Sequence, residues 1–246
     1  DNFVSLFSQS LQKRKKPFIP PPLGLLKPKE IFLPPIIDNS GFWNDHFKEA
    51  IPLINSEKRA FLLPEIDKNR VRAFMKLAQV DILSEEMLPN FIEKTPQKSK
   101  NATWWYDCYS YLATESKLSR ADRSFFLNRK LIPCANSSIL AISENNDCII
   151  CLPPTEEISD LSVPEYFSQI FIFIDNELAS LLLNGKDTIR SWILDRFQIS
   201  RFESTDLLPR AIRKIILQIF SSENQMDYIK LKQGWIFIKK HVKIDL

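Results

Sequence analysis

Glycine is scarce in this chain, which has 4 glycines among 246 residues. Loops that hold phosphate groups use several clustered glycines, because backbone N–H groups must converge on the anion. Here the glycines stand apart, at positions 24, 41, 185 and 234. The sequence therefore contains no Walker loop, no dinucleotide-binding fingerprint and no glycine-rich ATP lid, and it predicts no cofactor.

Histidine and cysteine are also few, with 2 histidines and 4 cysteines. Two histidines do not support a Ser-His-Asp site, and the chain has no Gly-x-Ser-x-Gly elbow. Cys148-x-x-Cys151 is the one motif with a chemical name, but it lies in an apolar β run, where a spacing of three places the thiols on opposite faces. We therefore predict buried structural cysteines, no catalytic residue and no metal-binding residue.

One alternative stays open, an unrecognised enzyme that uses Cys148 and Cys151. A metal site there would recruit Cys134 and a distant fourth ligand, since zinc is normally held by four. The candidates for that fourth ligand are His46, His241, Cys108 or a carboxylate. Few cysteines also favour a reducing, cytoplasmic location.

Long apolar runs and a strong charge of either sign are missing as well. No run reaches the roughly 20 residues that cross a bilayer, so no membrane partner is predicted. The net charge is +3, which implies no particular partner. Two basic clusters stand near the termini and could contact phosphate backbones, which leaves a nucleic-acid-binding module as an alternative. These candidate residues are Lys13, Arg14, Lys15, Lys16, Lys239 and Lys240.

The most informative positive feature is an internal similarity. Residues 29–35 and 147–154 both end in Leu-Pro-Pro, 119 positions apart, so that Phe32 matches Cys151. Further matches keep the same order along the chain, which predicts two copies of one module. They pair residues 18–20 with 131–133, 47–54 with 167–174, 71–75 with 189–193, 79–80 with 198–199, and 88–89 with 208–209.

The module is predicted to be α+β, a small β-hairpin plus helices, with the two copies packed end to end. In copy 1, Phe18-Ile19 pairs with residues 31–33; in copy 2, residues 130–132, 139–142 and 148–152 form a longer hairpin. Residues 67–78 and the matching helix around Ile189 carry one apolar face, which Phe197 closes in copy 2. Second helices follow, with apolar stripes at 88–92 and 208–219.

The predicted domains are a basic amphipathic segment at 1–16, copy 1 at 17–100, a helical connector at 101–126, and copy 2 with a C-terminal extension at 127–246. In the connector, Thr103 is the expected N-cap of a helix whose apolar face holds Trp105, Cys108, Tyr109 and Leu112. Trp104 is expected in the core or between copies. Ser119 and Asp122 resemble a capping box before Phe125 and Phe126.

This order of landmarks resembles the repeat region of sacsin-like proteins. It comprises the Ile-Pro and Leu-Pro segments, Phe173-Ile174-Asp175, and an Arg-containing helix that ends before Gln-Val or Gln-Ile. The resemblance covers most of residues 17–220. In that family an Hsp90-type ATP-binding domain precedes the repeats, and bacterial members are implicated in defence or stress responses.

The family's ATP-binding residues have no counterpart here, because no Asp-x-Gly-x-Gly turn or glycine-rich lid is present. The resemblance implies a non-catalytic scaffold or interaction module of a larger ATP-binding protein. Its partners would be other domains of that protein and a protein client, and both ends of the chain are expected to continue into that protein.

Overall fold

The computed structural model describes residues 27–38, 41–58, 60–63, 67–145, 148–153 and 171–201, together with Lys232 and Ile236. The chain divides into two compact units, Asp1–Lys100 and Asn101–Leu246. Both combine helices with short strands, which confirms the expected α+β class. Within the described ranges, no helix has the length and apolar character that a membrane span needs.

Unit 1 is built around a three-stranded parallel sheet of order β2-β1-β3. Its strands are β1 (Ile31–Leu33), β2 (Ala60–Phe61) and β3 (Asp81–Ile82). Its α-helices are α1 (Phe42–Phe47), α2 (Ile51–Ile54), α3 (Asn69–Leu77) and α4 (Leu88–Lys94), and its 3-10 turns are Pro28–Glu30, Glu85–Met87 and Gln97–Ser99.

The central strand β1 is buried on both faces, as expected for a parallel sheet covered on both sides. Ile31 and Leu33 face one way and pack into a cluster with Met75 and Val80, from α3 and the segment that follows it. Phe32 faces the other way, in an aromatic group. Its ring centroid lies 6.3 Å from that of Phe61 and 6.4 Å from that of Phe91, and Trp43 stands 5.8 Å from Phe91.

Unit 2 has a second parallel sheet, of order β7-β6-β8, and a separate antiparallel pair. Its strands are β4 (Ile132–Pro133), β5 (Ile139–Leu140), β6 (Ile149–Leu152), β7 (Phe171–Phe173) and β8 (Ser200–Arg201). Its α-helices are α5 (Ala102–Thr114), α6 (Ser124–Leu127), α7 (Asn176–Asn184) and α8 (Asp187–Arg196), and its 3-10 turns are Lys117–Arg120 and Ile142–Asn145.

Helix α5 packs against α7 and α8. Its predicted apolar face is confirmed, because Trp105, Cys108, Tyr109 and Leu112 are all buried. The role predicted for Phe197 is also confirmed. Its ring lies 5.7 Å from Tyr109, 5.6 Å from Phe126 and 5.8 Å from Trp192. Trp104 is buried edge-on against Trp105, with centroids 5.1 Å apart.

The predicted hairpins are partly wrong. Strands β4 and β5 do form an antiparallel pair. However, β1 and β6 are central strands of parallel sheets, and neither pairs with a hairpin partner among the described residues. The reason is visible in β6, whose four consecutive residues are all buried. Such unbroken burial is typical of a parallel strand, whereas a half-exposed hairpin strand alternates.

The sequence match between residues 47–54 and 167–174 is also wrong as a structural equivalence. Residues 47–54 include the end of α1 and all of α2, whereas Phe171–Phe173 is strand β7. The strand of unit 1 that occupies the position of β7 is β2. Both lie beside the central strand, with Phe61 opposite Phe32 and Phe173 opposite Cys151.

Two predicted helix caps are corrected. The N-cap of α5 is Asn101, not Thr103, and its side-chain oxygen accepts from Trp104 N at 2.8 Å. Ser119 lies in a 3-10 turn and does not cap α6. Asp122 Oδ1 instead accepts from Ser124 N at 3.3 Å, two residues on.

Three predictions lie outside the described residues: the strand at Phe18-Ile19, the stripe at 208–219 and the segment 1–16.

The two sheets share strand order, direction and register. Phe32 pairs with Asp81, and Cys151 pairs with Ser200, so that both partners shift by the same 119 positions. Leu33 with Ile82 and Leu152 with Arg201 keep that shift. That the two units are copies of one module stays a prediction. Such an origin would have to account for the shared register.

Candidate functional site

The candidate site is a buried polar network in which Asp38 lies in the loop after β1, Asp67 lies in the loop after β2, and Arg72 lies on helix α3. Asp38 is 4% exposed and Asp67 is 0% exposed. Both loops leave the carboxyl ends of their strands, and ligands commonly bind at the carboxyl ends of parallel strands. Polar groups buried at such an edge are therefore functional candidates.

Asp38 holds the start of helix α1. Its Oδ1 accepts from Phe42 N at 2.9 Å and its Oδ2 accepts from Trp43 N at 2.8 Å. A carboxylate at a helix start satisfies N–H groups that lack partners within the helix, and it also complements the helix dipole. This contact fixes α1, which carries the core residues Trp43 and Phe47.

Asp67 and Arg72 join the two loops. Arg72 Nε donates to Asp67 Oδ1 at 2.5 Å, and Arg72 Nη2 donates to Asp67 Oδ2 at 2.5 Å. The same Nη2 also donates to the carbonyl oxygen of Ile36, and Asp38 N donates to Asp67 Oδ2 at 3.3 Å. One bidentate ion pair thus links the loop after β1 to helix α3.

These bonds decide what the network can do chemically. Both oxygens of Asp38 and both oxygens of Asp67 already accept backbone or guanidinium hydrogen bonds. A general base needs an oxygen that reaches the proton of a bound substrate. The geometry fits a brace that holds the carboxyl edge of the sheet, and it does not fit an acid–base pair.

Unit 2 has an arginine at the position that the sequence pairs with Arg72. Arg190 Nη1 donates to the Leu183 carbonyl at 2.9 Å, and Nη2 donates to Asp187 Oδ1. Asp187 is exposed and lies in the first turn of the same helix. Both arginines therefore tie a helix to the segment before it, but only Arg72 uses a buried carboxylate.

The four cysteines lie in unit 2 as thiols and not as disulfides. Cys151 lies buried on β6, and the partly buried Cys148 precedes that strand. Burial raises the pKa of the Cys134 thiol to about 11, a hydrogen bond with Ser138 opposes the shift, and Asp175 adds to it. A thiol held neutral in this way is a poor nucleophile and a poor metal ligand. The described residues hold no group of three or more His, Cys, Asp or Glu that could bind a metal ion.

Tyr109 also has a strongly perturbed pKa among the described residues of unit 2. Burial holds its pKa well above the ordinary value, with smaller effects from Cys134 and Cys108. Its hydroxyl donates to the Leu131 carbonyl at 2.5 Å, which anchors α5 to the residue before β4. This hydrogen bond gives the buried Tyr109 hydroxyl a backbone partner and a structural role.

His46 lies on α1, where its Nδ1 is 3.1 Å from the Phe42 carbonyl oxygen and its ring is 4.6 Å from that of Phe42. The basic residues Lys13, Arg14, Lys15, Lys16, Lys239 and Lys240, and also His241, lie outside the described residues.

Sequence reasoning missed Lys58, which is only 5% exposed. Its Nζ lies 2.8 Å from Asp81 Oδ2 and 3.4 Å from the Ile31 carbonyl oxygen, and 5.3 Å from the centre of the Phe32 ring. Lys58 therefore joins the segment before β2 to strands β1 and β3. Sequence reasoning also missed the network of Asp38, Asp67 and Arg72. Asp38 accepts from N–H groups four and five residues on, whereas an ordinary N-cap side chain accepts from those two or three residues on.

Comparisons with protein-family models, with curated proteins and with solved structures give no match.

Proposed function

We propose that the chain is a non-catalytic scaffold and interaction module of a larger, sacsin-like ATP-binding protein, with a chaperone-like, defence or stress role in the cytoplasm. One observation carries the proposal. Two units have parallel sheets of the same order and register, and the buried groups Asp38, Asp67 and Tyr109 hold loops and helices together. Such repetition is typical of chains that present surfaces or transmit rearrangements.

The buried groups support the non-catalytic half of the proposal. Asp38, Asp67 and Arg72 satisfy one another and the backbone, and Tyr109 donates to a backbone carbonyl. Cys134 is held as a neutral thiol. Each group has a structural task that accounts for its burial, and none needs a substrate to explain it.

ATP binding tests this half directly. Titration calorimetry of the chain with Mg-ATP should give no heat of binding up to millimolar nucleotide. Binding at micromolar Kd would overturn the non-catalytic assignment. The chain with Asp67→Asn serves as a control for any weak heat, because nucleotide binding at the carboxyl edge of unit 1 would change with that residue.

The scaffold half is tested in the parent protein. Hydrogen exchange of the strands in both units should change when ATP is added to the full-length protein, and should not change when ATP is added to this chain alone. An unchanged exchange pattern in the full-length protein would contradict transmission through the units. A parent protein with no Hsp90-type pocket would contradict the family assignment.

A further inference from the structure

Residues 117–130 of unit 2 present a basic surface. The segment has a single acidic residue, Asp122, against five lysines and arginines, so its net charge is +4. The whole chain of 246 residues carries only +3. This short segment therefore concentrates more positive charge than the chain has in total. The cations of the basic surface are Lys117, Arg120, Arg123, Arg129 and Lys130.

Two apolar side chains anchor the segment and leave its charges outside. Leu118, in the 3-10 turn, is 7% exposed, and Phe126, on α6, is 0% exposed. The Phe126 ring packs against Trp192 of α8, with centroids 5.7 Å apart. Because the apolar side chains occupy the inward positions, the charged side chains lie at the surface. The exposed cations are Lys117, Arg120, Arg123 and Lys130.

Helix α8 fixes this segment and adds a further cation beside it. The Ser119 carbonyl oxygen accepts from Trp192 Nε1 at 3.0 Å and from Arg196 Nη2 at 3.2 Å. Arg123 forms an ion pair with Asp195, and both side chains are about half exposed. Such an exposed pair contributes little to stability, so Arg123 can exchange Asp195 for another anion at small cost.

An aromatic ring stands within the basic surface. The guanidinium carbon of Arg129 lies 4.5 Å from the centre of the Phe125 ring, and Arg129 Nε donates to the Phe125 carbonyl at 3.1 Å. Phe125 is partly exposed, whereas its neighbour Phe126 is buried. Aromatic rings and arginine side chains that share a basic surface are the groups on which nucleic-acid bases stack.

The charge of this surface points to the chemistry of its partner. Like charges that are held close together repel one another and lower the stability of the folded chain. A nucleic-acid strand removes that repulsion, because it carries one negative charge on every phosphate and the guanidinium fork matches phosphate oxygens. A single carboxylate would compensate only one of the five cations. We propose that the basic surface of residues 117–130 binds the phosphate backbone of a single-stranded nucleic acid.

A single strand fits better than a duplex because of Phe125. Its ring can contact bases only where they are not already stacked within a double helix, whereas the bases of a single strand are accessible. The surface is distinct from the terminal basic clusters, which every variant below retains. This binding goes beyond the scaffold role and does not depend on it.

Fluorescence anisotropy with a labelled oligothymidylate of about 20 nucleotides tests the surface. At about 50 mM salt the full chain should bind with a Kd of about 10 μM or tighter, and affinity should fall steeply with added salt. The triple variant Lys117→Gln, Arg120→Gln and Arg123→Gln should weaken binding by about tenfold or more. Its plot of log affinity against log salt should be shallower by about 2, since each phosphate contact on a single strand contributes about 0.7.

The control removes the same charge from unit 1. Lys68→Gln, Arg70→Gln and Lys76→Gln replace three exposed cations at helix α3, and together they should change Kd by about twofold or less. All six positions are exposed, so both triple variants should keep the native urea midpoint.

Three outcomes would overturn the proposal. The native chain could fail to bind at low salt, or the variant at residues 117–123 could bind like the native chain. Equal losses in both triple variants would show that binding depends on net charge alone. Unlabelled polyglutamate of similar length should compete about tenfold more weakly than unlabelled oligothymidylate. Equal competition would assign the surface to an acidic protein and would also overturn the proposal.

Discussion

Gln79 and Gln198 stand 119 positions apart and take the same left-handed conformation, with φ of 58° and 53°. Each follows a helix, α3 or α8, and the next residue closes the helix end. Val80 N donates to the Met75 carbonyl at 3.0 Å, and Ile199 N donates to the Leu194 carbonyl at 3.1 Å. This is the Schellman ending, in which glycine is the usual left-handed residue. A glutamine there costs conformational energy in both units.

Gln79→Gly is therefore expected to stabilise unit 1. Glycine avoids the left-handed penalty, and its greater freedom in the unfolded chain offsets part of the gain, so the net increase is about 0.5–1 kcal/mol. Urea unfolding measures it as a higher midpoint. Lys76→Gly, three residues earlier and inside α3, is the control and should cost about 1 kcal/mol. A lower midpoint for Gln79→Gly would show that its side chain has a stabilising contact.

The Asp67–Arg72 brace should contribute far more to stability than the matching pair in unit 2. Asp67→Asn leaves a buried guanidinium without its carboxylate, and the expected loss is about 3 kcal/mol. Asp187→Asn removes a carboxylate that is 81% exposed at its side chain. Because such pairs are screened by water, the expected loss is about 0.5 kcal/mol or less.

Chemical unfolding of the Asp67→Asn and Asp187→Asn variants at one ionic strength compares the contributions of the two ion pairs to stability. The Asp67→Asn loss should persist at high salt, since a buried pair is screened little. Equal losses for both variants would contradict the interpretation of the unit 1 network as a brace.

Cys134 should make stability fall at alkaline pH. Its pKa is about 11 in the folded chain, against an ordinary 9.0, so the folded state keeps a proton that the unfolded state releases. The contribution is complete below about pH 9 and is lost as pH rises through about 11. A shift of about two units corresponds to about 2–3 kcal/mol.

The measurement is the free energy of unfolding from pH 7 to 11 for the native chain and for Cys134→Ala. The variant should show a shallower decline, although burial of Tyr109 adds its own loss above pH 10 in both. Parallel curves for the native chain and Cys134→Ala would contradict the assignment.

Local patterns predicted local structure well. The spacing of Val71, Phe74 and Met75 located α3, because a helix repeats its face every three to four residues. Strand pairing was harder. Nothing in residues 31–33 states whether the neighbour is parallel or antiparallel, since that depends on where the chain returns after a helix.

The candidate site was harder to predict from the sequence than the strand pairing. Asp38, Asp67 and Arg72 are separated by 29 and 5 positions and meet only after β1 and β2 pair. Aspartate and arginine are usually surface residues, so their types alone do not indicate that the loops bury them. Lys58 is buried for a similar reason, because Asp81 comes beside it only through the order of the strands.

Gly185 is required at the turn between α7 and α8. A Cβ there would lie 2.7 Å from the Leu181 carbonyl oxygen and 2.9 Å from Tyr106 Cε2, and in closer contact still with the Tyr106 hydroxyl. Gly185→Ala should therefore cost about 1–3 kcal/mol, measured by thermal or urea unfolding. Adding Tyr106→Phe should recover only part of the loss, because the backbone oxygen of Leu181 cannot move away. Asn184→Ala, on the exposed neighbour, should change stability by about 0.5 kcal/mol or less. Full recovery in the double variant would place the whole conflict on the Tyr106 hydroxyl.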